Sequence, residues 1–197
     1  MQPEALATRA AERRDGKYLP RIVQRRPRRG DVHPLPSDLL PRFLSWVPLS
    51  YLHKLRRIEL RPRVSEHVGR PFALYDRSER MVILYSLPLR WSWPGLKPSN
   101  GLLRGMRRAG ATISVEAGTV TVAWPSVRRL ALWFGGEVVV HELSHHFRRA
   151  FRTRRGQHGF ETEEIMACVY GDRLWRGMRR DMREQRMLAA READKAR

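Results

Sequence analysis

The sequence predicts an α+β fold. The main evidence is that the spacing of apolar residues changes along the chain from a strand pattern to a helix pattern. In the first two thirds, short segments alternate apolar and polar residues, as Arg57–Arg61 does. Segments 72–75 and 81–85 flank a turn at 76–80, which predicts a β-hairpin. In the last third, apolar residues recur at helical spacing instead. We therefore expect a small, mainly antiparallel sheet packed on two later helices.

Three regions follow from composition. Residues 1–33 are basic and poor in large apolar side chains, which predicts a disordered arm. Residues 34–178 hold the apolar patterns and form the expected domain, and 179–197 is a charge-dense tail, helical or frayed. Within the domain we expect a docking turn at 39–44, a breaker-rich loop at 91–101 whose two Trp pack over the core, a helix at 102–109 and a hairpin of segments 111–115 and 119–124.

A metal-binding pattern stands in the first of the two late helices, which we expect to run from about 136 to 151. His141, Glu142 and His145 spell H-E-x-x-H. A separation of four residues returns to nearly the same helix face, so His141 and His145 can offer two imidazole nitrogens to one cation. Zinc is the expected ion because it accepts neutral imidazole and keeps an exchangeable fourth ligand. The alternative is a core helix in which two His happen to lie one turn apart.

A catalytic zinc needs a third protein ligand, and two candidates lie downstream. Glu164 is the lone carboxylate on a helix face that is otherwise small or apolar, with Ala167, Cys168 and Gly171. His158 lies in a loop between two glycines and could reach the same ion. We favour Glu164 and keep His158 as the alternate. Glu161 and Glu163 are expected to complement the helix dipole, and His33, His53, His67 and His146 to be structural or solvated.

The segment from Val138 to Trp175 resembles the zincin metallopeptidases, whose active-site helix carries H-E-x-x-H. Within them, it is similar to the ImmA/IrrE-type gluzincins in the run Glu164-x-x-Ala167-Cys168-x-Tyr170-Gly171-x-x-Leu174, although Cys168 stands where those proteins usually have Asn. The loop at 156–159 instead resembles the SprT-like proteases, whose third ligand is a His followed by Gly.

The gluzincin resemblance implies a minimal zincin that hydrolyses protein or peptide substrates. His141, His145 and Glu164 would hold Zn²⁺, and Glu142 would act as the general base. Tyr170, His158 or a nearby Arg would stabilise the oxyanion. The strand at 119–122 would border the cleft and pair with an extended substrate.

Charge is the second informative feature of the chain. The formal net charge is +19, and only 4 of the 39 basic residues are lysines. A charge of this size attracts polyanions, so we expect non-specific DNA or RNA binding through the basic ends, residues 1–30 and 179–197. The alternatives are a solvated arginine surface and a bias of genome composition. The rival function is a non-catalytic, zinc-binding and arginine-rich protein associated with nucleic acid or an assembly.

Cysteine content and hydropathy complete the expectations. The single cysteine, Cys168, excludes an internal disulfide and suits a reducing compartment. No apolar run is long enough for a membrane span, and the N-terminal residues do not resemble a secretory signal. A cytoplasmic protein without a membrane partner is therefore expected.

Overall fold

The computed structural model describes residues 19–64, 71–95, 98–150 and 160–195. These residues form a mixed α and β structure with small sheets. The strands are β1 Arg21–Gln24, β2 Asp31–Val32, β3 Arg57–Arg61, β4 Ala73–Asp76, β5 Met81–Tyr85, β6 Leu87–Pro88, β7 Arg90–Pro94, β8 Thr112–Glu116 and β9 Thr119–Ala123. The helices are α1 Leu40–Leu44, α2 Leu49–Leu52, α3 Asn100–Ala109, α4 Val127–Trp133, a π-helical segment Phe134–Val139, α5 Val140–Ala150 and α6 Phe160–Lys195.

The strands divide into three sheets rather than the single sheet that we expected. The largest has the order β1-β3-β5-β4, in which β1, β3 and β5 are parallel and β4 is antiparallel to β5. A second sheet pairs β2 with β6, and the third has the antiparallel order β7-β9-β8. Both predicted hairpins are confirmed, and antiparallel pairs outnumber parallel ones among the described strands. Local patterns reveal hairpins well but not which distant strands pair.

The predicted disordered arm ends earlier than expected. Residues 21–24 form β1 and pair in parallel with β3, with Ile22 opposite Ile58. Ile22 packs against the hydrophobic core, which explains why this basic segment is ordered. Our boundary at residue 33 was therefore wrong for 19–33, and the rest of the predicted arm lies outside the described residues.

The predicted loop at 91–101 was also wrong at its start. Residues 90–94 form β7, which pairs with β9, and the Trp-Ser-Trp alternation turns Trp91 and Trp93 inward. Both indoles are buried, as expected, and belong to an aromatic cluster with Phe72, Trp124 and Trp133. Pro94 and Gly95 end the strand rather than preclude it.

One continuous helical stretch leads into the H-E-x-x-H segment. It begins at Ser126, whose hydroxyl accepts a hydrogen bond from the Arg129 backbone N–H at 3.3 Å, and α4 passes through the π-helical segment into α5. The predicted break at the glycine pair is thus a change of helical pitch. A Cβ on Gly136 would lie 2.5 Å from Trp175 Cε2, so glycine allows α6 to approach here.

Helix α6 extends beyond the domain boundary that we predicted at residue 178, because it continues through the charged tail to Lys195. Leu174 and Met178 are buried and Met182 packs on the same core. Among the described residues, no helix combines the length and the apolar character needed to cross a membrane.

Candidate metal centre

Helix α5 is anchored by its apolar face. Val139, Val140 and Leu143 are buried in the core. Ser144 is also buried, and its hydroxyl donates to the Val140 carbonyl at 2.7 Å, so it leaves no unsatisfied polar group. This anchoring fixes the rotation of α5 and turns His141 and His145 together towards α6.

Small residues allow α6 to approach α5 at the level of His141. Ala167 is fully buried between the helices. A Cβ placed on Gly171 would lie 3.5 Å from the His141 Cα, in ordinary van der Waals contact with its backbone. The two helices therefore approach closely at this level, and the approach brings Glu164 opposite the two imidazoles.

Three ligand atoms converge between the helices. The His141 and His145 Nε2 atoms are 3.1 Å apart. Glu164 Oε2 lies 3.2 Å from the His141 nitrogen, and Glu164 Oε1 lies 3.2 Å from the His145 nitrogen. A tetrahedral zinc with bonds of about 2.0–2.1 Å separates its ligand atoms by about 3.3 Å. The three separations are close to this value, so the two imidazoles and the Glu164 carboxylate are able to hold one zinc ion between them.

The two imidazoles are in the protonation state that a metal requires. Burial lowers the pKa of His141 against the opposing effect of Glu164. The pKa of His145 is likewise lowered, first by burial and then by His141. Both rings are therefore neutral near pH 7, and neutral imidazole is the form that coordinates zinc.

Glu142 lies beside this cluster and is held by β4. Its carboxylate accepts a hydrogen bond from the backbone N–H of Tyr75. Burial, reinforced by the negative charge of Glu164, raises the pKa of Glu142 to about 8. A divalent cation between the histidines would oppose both effects, because a nearby positive charge favours the carboxylate.

Cys168 occupies the other side of His141. Its Sγ lies 3.7 Å from His141 Nδ1, the ring nitrogen that does not face Glu164. Desolvation, followed by the charges of Glu164 and Glu137, raises the pKa of the Cys168 thiol, so the sulfur is a neutral and weak acceptor. A contact with the second nitrogen of a ligand His fixes the orientation of its ring.

An ion pair that we did not predict joins the two helices one turn from the site. Arg148 Nη1 lies 3.6 Å from Glu163 Oε2 and donates to the Glu163 carbonyl at 3.2 Å. Both side chains are buried, at 7% and 10% exposure. Glu163 therefore joins α6 to α5, in addition to being the first-turn acid that we expected. Because the chain is full of arginines, nothing local distinguishes Arg148.

The structure describes two of the three candidates for stabilising the oxyanion, a nearby Arg and Tyr170, but not His158. Tyr170 packs against Phe147, with ring centroids 5.8 Å apart. Burial raises the pKa of Tyr75 and the positive charge of Arg149 opposes that rise. The same charge adds to burial and to His141 in lowering the pKa of His145, so Arg149 is an arginine near the site. His158 and the loop around it lie outside the described residues, so the alternate third ligand stays a prediction.

Other histidines have structural partners. His146 is buried, with Nδ1 3.1 Å from the Tyr75 hydroxyl and Nε2 2.8 Å from the His53 carbonyl. His33 is also buried, and its Nε2 lies 2.7 Å from the Arg25 carbonyl. The His146 contacts join α5 to β4 and to the residue that follows α2.

The substrate strand that we took from the zincin resemblance was wrong. β9, which contains residues 119–122, is the central strand of its sheet and is paired on one side with β7 and on the other with β8. A strand paired on both sides has no free edge for a peptide. The strand that contacts Glu142 is β4, which is paired only with β5 among the described strands.

Comparison with known proteins adds no relative to this picture. No family model matches the chain, and neither a curated protein nor a solved structure matches it significantly.

Proposed function

We propose that this protein is a zinc-dependent metallopeptidase of the zincin type. The observation that carries the proposal is the convergence of the His141 and His145 Nε2 atoms, 3.1 Å apart, on the Glu164 carboxylate. Each nitrogen lies 3.2 Å from one of its two oxygens, and Glu142 lies beside the cluster. Two neutral imidazoles and one carboxylate, with an open fourth position, are a ligand set of catalytic rather than structural zinc.

The residues divide the chemistry between them. Bound zinc would supply a water of lowered pKa and an electrophile for the scissile carbonyl. Glu142 would accept a proton from the attacking water and deliver it to the leaving amine nitrogen, so one carboxylate would act first as base and then as acid. The Tyr75 N–H keeps the Glu142 carboxylate at the edge of β4 during both transfers. Arg149 is the donor that we assign to the developing oxyanion.

The edge of β4 is the place that we assign to the substrate backbone. The Tyr85 N–H donates to the Phe72 carbonyl at 3.1 Å, so Phe72 and Tyr85 form a hydrogen-bonded antiparallel pair. Because such pairs alternate along the ladder, the polar backbone groups of Ala73 and Tyr75 point away from β5. One of these groups holds Glu142, and the others can pair with an extended peptide.

The test separates chemistry from metal binding. Glu142→Gln keeps the shape of the side chain but cannot accept the proton, so we expect normal zinc content and a loss of hydrolysis of about 100-fold or more. The probes are unfolded casein and a random peptide mixture read by mass spectrometry. Glu161→Gln, which removes an exposed carboxylate from the first turn of α6, is the matched control and should cleave as the wild type does.

Two outcomes contradict the proposal. Equal hydrolysis by Glu142→Gln and the wild type would place the activity elsewhere. A wild-type protein that holds zinc but cleaves neither probe would favour the second candidate, a non-catalytic zinc-binding protein that acts through its arginine-rich surface. The observation that favours this second candidate is the set of exposed arginines on α6.

A further inference from the structure

The C-terminal part of α6 carries a concentrated positive charge. Between 173 and 189 there are six arginines and two acidic residues. The arginines are Arg173, Arg176, Arg179, Arg180, Arg183 and Arg186.

The end of this part of the helix, residues 183–188, stands away from the domain. Met178 is buried and Met182 packs on the core, but every residue from 183 to 188 is exposed. With 3.6 residues per turn, that stretch covers all sides of the helix. The helix therefore leaves the domain surface after Met182 and offers its side chains to a partner.

Several of the arginines share one face. Residues 176, 180 and 183 are spaced by four and three, and Arg179 lies beside them. Together with Glu184 they line a shallow groove on the helix surface. Arg176 pairs with Asp172, and Arg180 lies 3.7 Å from Asp181. Arg179 and Arg183 form no ion pair with an acidic residue in the described part of the chain, so their charges are available.

We propose that this arginine face, residues 176, 179, 180 and 183, binds the phosphodiester backbone of nucleic acid without sequence preference. The planar guanidinium fork matches two phosphate oxygens at once, and arginines on successive turns present such forks along one line. A chain with a net charge of +19 adds a long-range attraction for the same partner.

An anionic membrane is a weaker match to the same helix. A helix that lies on a membrane inserts an apolar face opposite its basic face. Here the apolar residues Leu174, Met178 and Met182 face the domain core and are not available for insertion. The exposed apolar residues in this part of the helix are Met187 and Leu188, which are too few to form a continuous inserted face. The surface is therefore mainly electrostatic, which suits a polyphosphate backbone.

The same helix begins at the candidate metal centre. Twelve residues separate Glu164 from Arg176, which is about 18 Å along a helix. On the proposed peptidase function, nucleic acid on the arginine face would hold proteins that are bound to the same strand within reach of the site. The binding itself does not depend on that function.

The experiment compares two variants of equal charge. One is Arg179→Gln with Arg180→Gln and Arg183→Gln; the matched control replaces the exposed Arg42, Arg90 and Arg128 by Gln elsewhere on the surface. Fluorescence anisotropy measures the binding of the full chain to a short DNA duplex and to an RNA duplex of the same sequence over a range of salt concentrations. We expect the α6 variant to reduce the slope of log affinity against log salt by about one for each phosphate that the helix no longer neutralises.

The control variant should keep most of that slope, and Glu142→Gln should bind nucleic acid as the wild type does. Equal losses in the two triple variants, or no loss in either, would overturn the proposal. Replacement of the same three α6 arginines by Lys keeps the charge and should restore most of the binding; circular dichroism verifies that each variant is folded. Tighter binding to phosphatidylserine vesicles than to either duplex would also overturn it.

Discussion

The two halves of α6 behave differently although they form one helix. Up to Met178, a repeated small or apolar face is buried against α5 and the core, and it places Glu164 opposite the histidines. Beyond Met182, arginines continue but the buried face ends, and the side chains are exposed. Tertiary packing thus fixes the half that must hold an accurate geometry, whereas charge keeps the other half in solvent. The predictions below contrast an inner residue with an outer or exposed counterpart.

The largest effect is expected at the ligands. Glu164→Ala should weaken zinc binding by more than about 100-fold, because substitutions of residues behind the ligands already cost up to that factor. Glu161→Ala, on the exposed side of the same turn, should leave the affinity unchanged. Competition with a chromogenic zinc chelator measures both. If His158→Ala strips the metal and Glu164→Ala does not, the SprT-like ligand set replaces ours.

Next in size is the pair between Arg148 and Glu163. Arg148→Met should lower the free energy of unfolding by about 3 kcal/mol, since it removes the cation that lies beside the buried Glu163 carboxylate. Arg176→Gln breaks an exposed pair on the solvent-facing side of α6 and should cost less than about 0.5 kcal/mol. Urea denaturation measures both. Equal costs would mean that the buried pair does not fasten the two helices.

A smaller effect is expected where Trp175 meets the π-helical segment. Gly136→Ala places a Cβ 2.5 Å from the indole and should destabilise the fold by about 1–3 kcal/mol. Gly177→Ala, two residues beyond Trp175, meets nothing within 4 Å and should be neutral or stabilise by up to about 1 kcal/mol. Thermal unfolding followed by circular dichroism distinguishes the two. A tolerated Gly136→Ala would show that α6 can move away from α5 at little cost.

The smallest effect is expected at Cys168, which contacts the His141 ring nitrogen that does not face Glu164. Cys168→Ala removes the sulfur beside Nδ1 and should weaken zinc binding by about 10-fold, the lower end for a contact behind a ligand. Cys168→Ser keeps an acceptor there and should restore most of the affinity. The ratio of the two affinities is the readout that a purely structural role would not change, and equal affinities would remove Cys168 from the site.

Local patterns were sufficient for many elements of the fold. Alternation predicted β3 and both hairpins. Pairing between distant segments was not predictable, because it depends on burial contributed by other elements. For that reason we assigned the residues of β1 to the arm and those of β7 to a loop. We also expected one sheet where the structure has three.

The site was predictable to the extent that it is local. The i, i+4 histidines and the lone carboxylate on a small helix face are visible in the sequence, and the structure brings them together. The contact of Tyr75 with Glu142 and the pair of Arg148 with Glu163 each join residues from different elements. In a chain with 39 basic residues, the composition hides the one arginine that is buried beside the site.

Zinc K-edge X-ray absorption of the purified, zinc-loaded protein tests the central claim most directly. The account predicts two imidazole ligands and oxygen neighbours at about 2.0–2.1 Å, and the loss of this pattern in Glu164→Ala. A third imidazole would assign the ligand role to His158. A sulfur shell at about 2.3 Å would mean that Cys168 binds the ion itself, and either result would contradict the site described here.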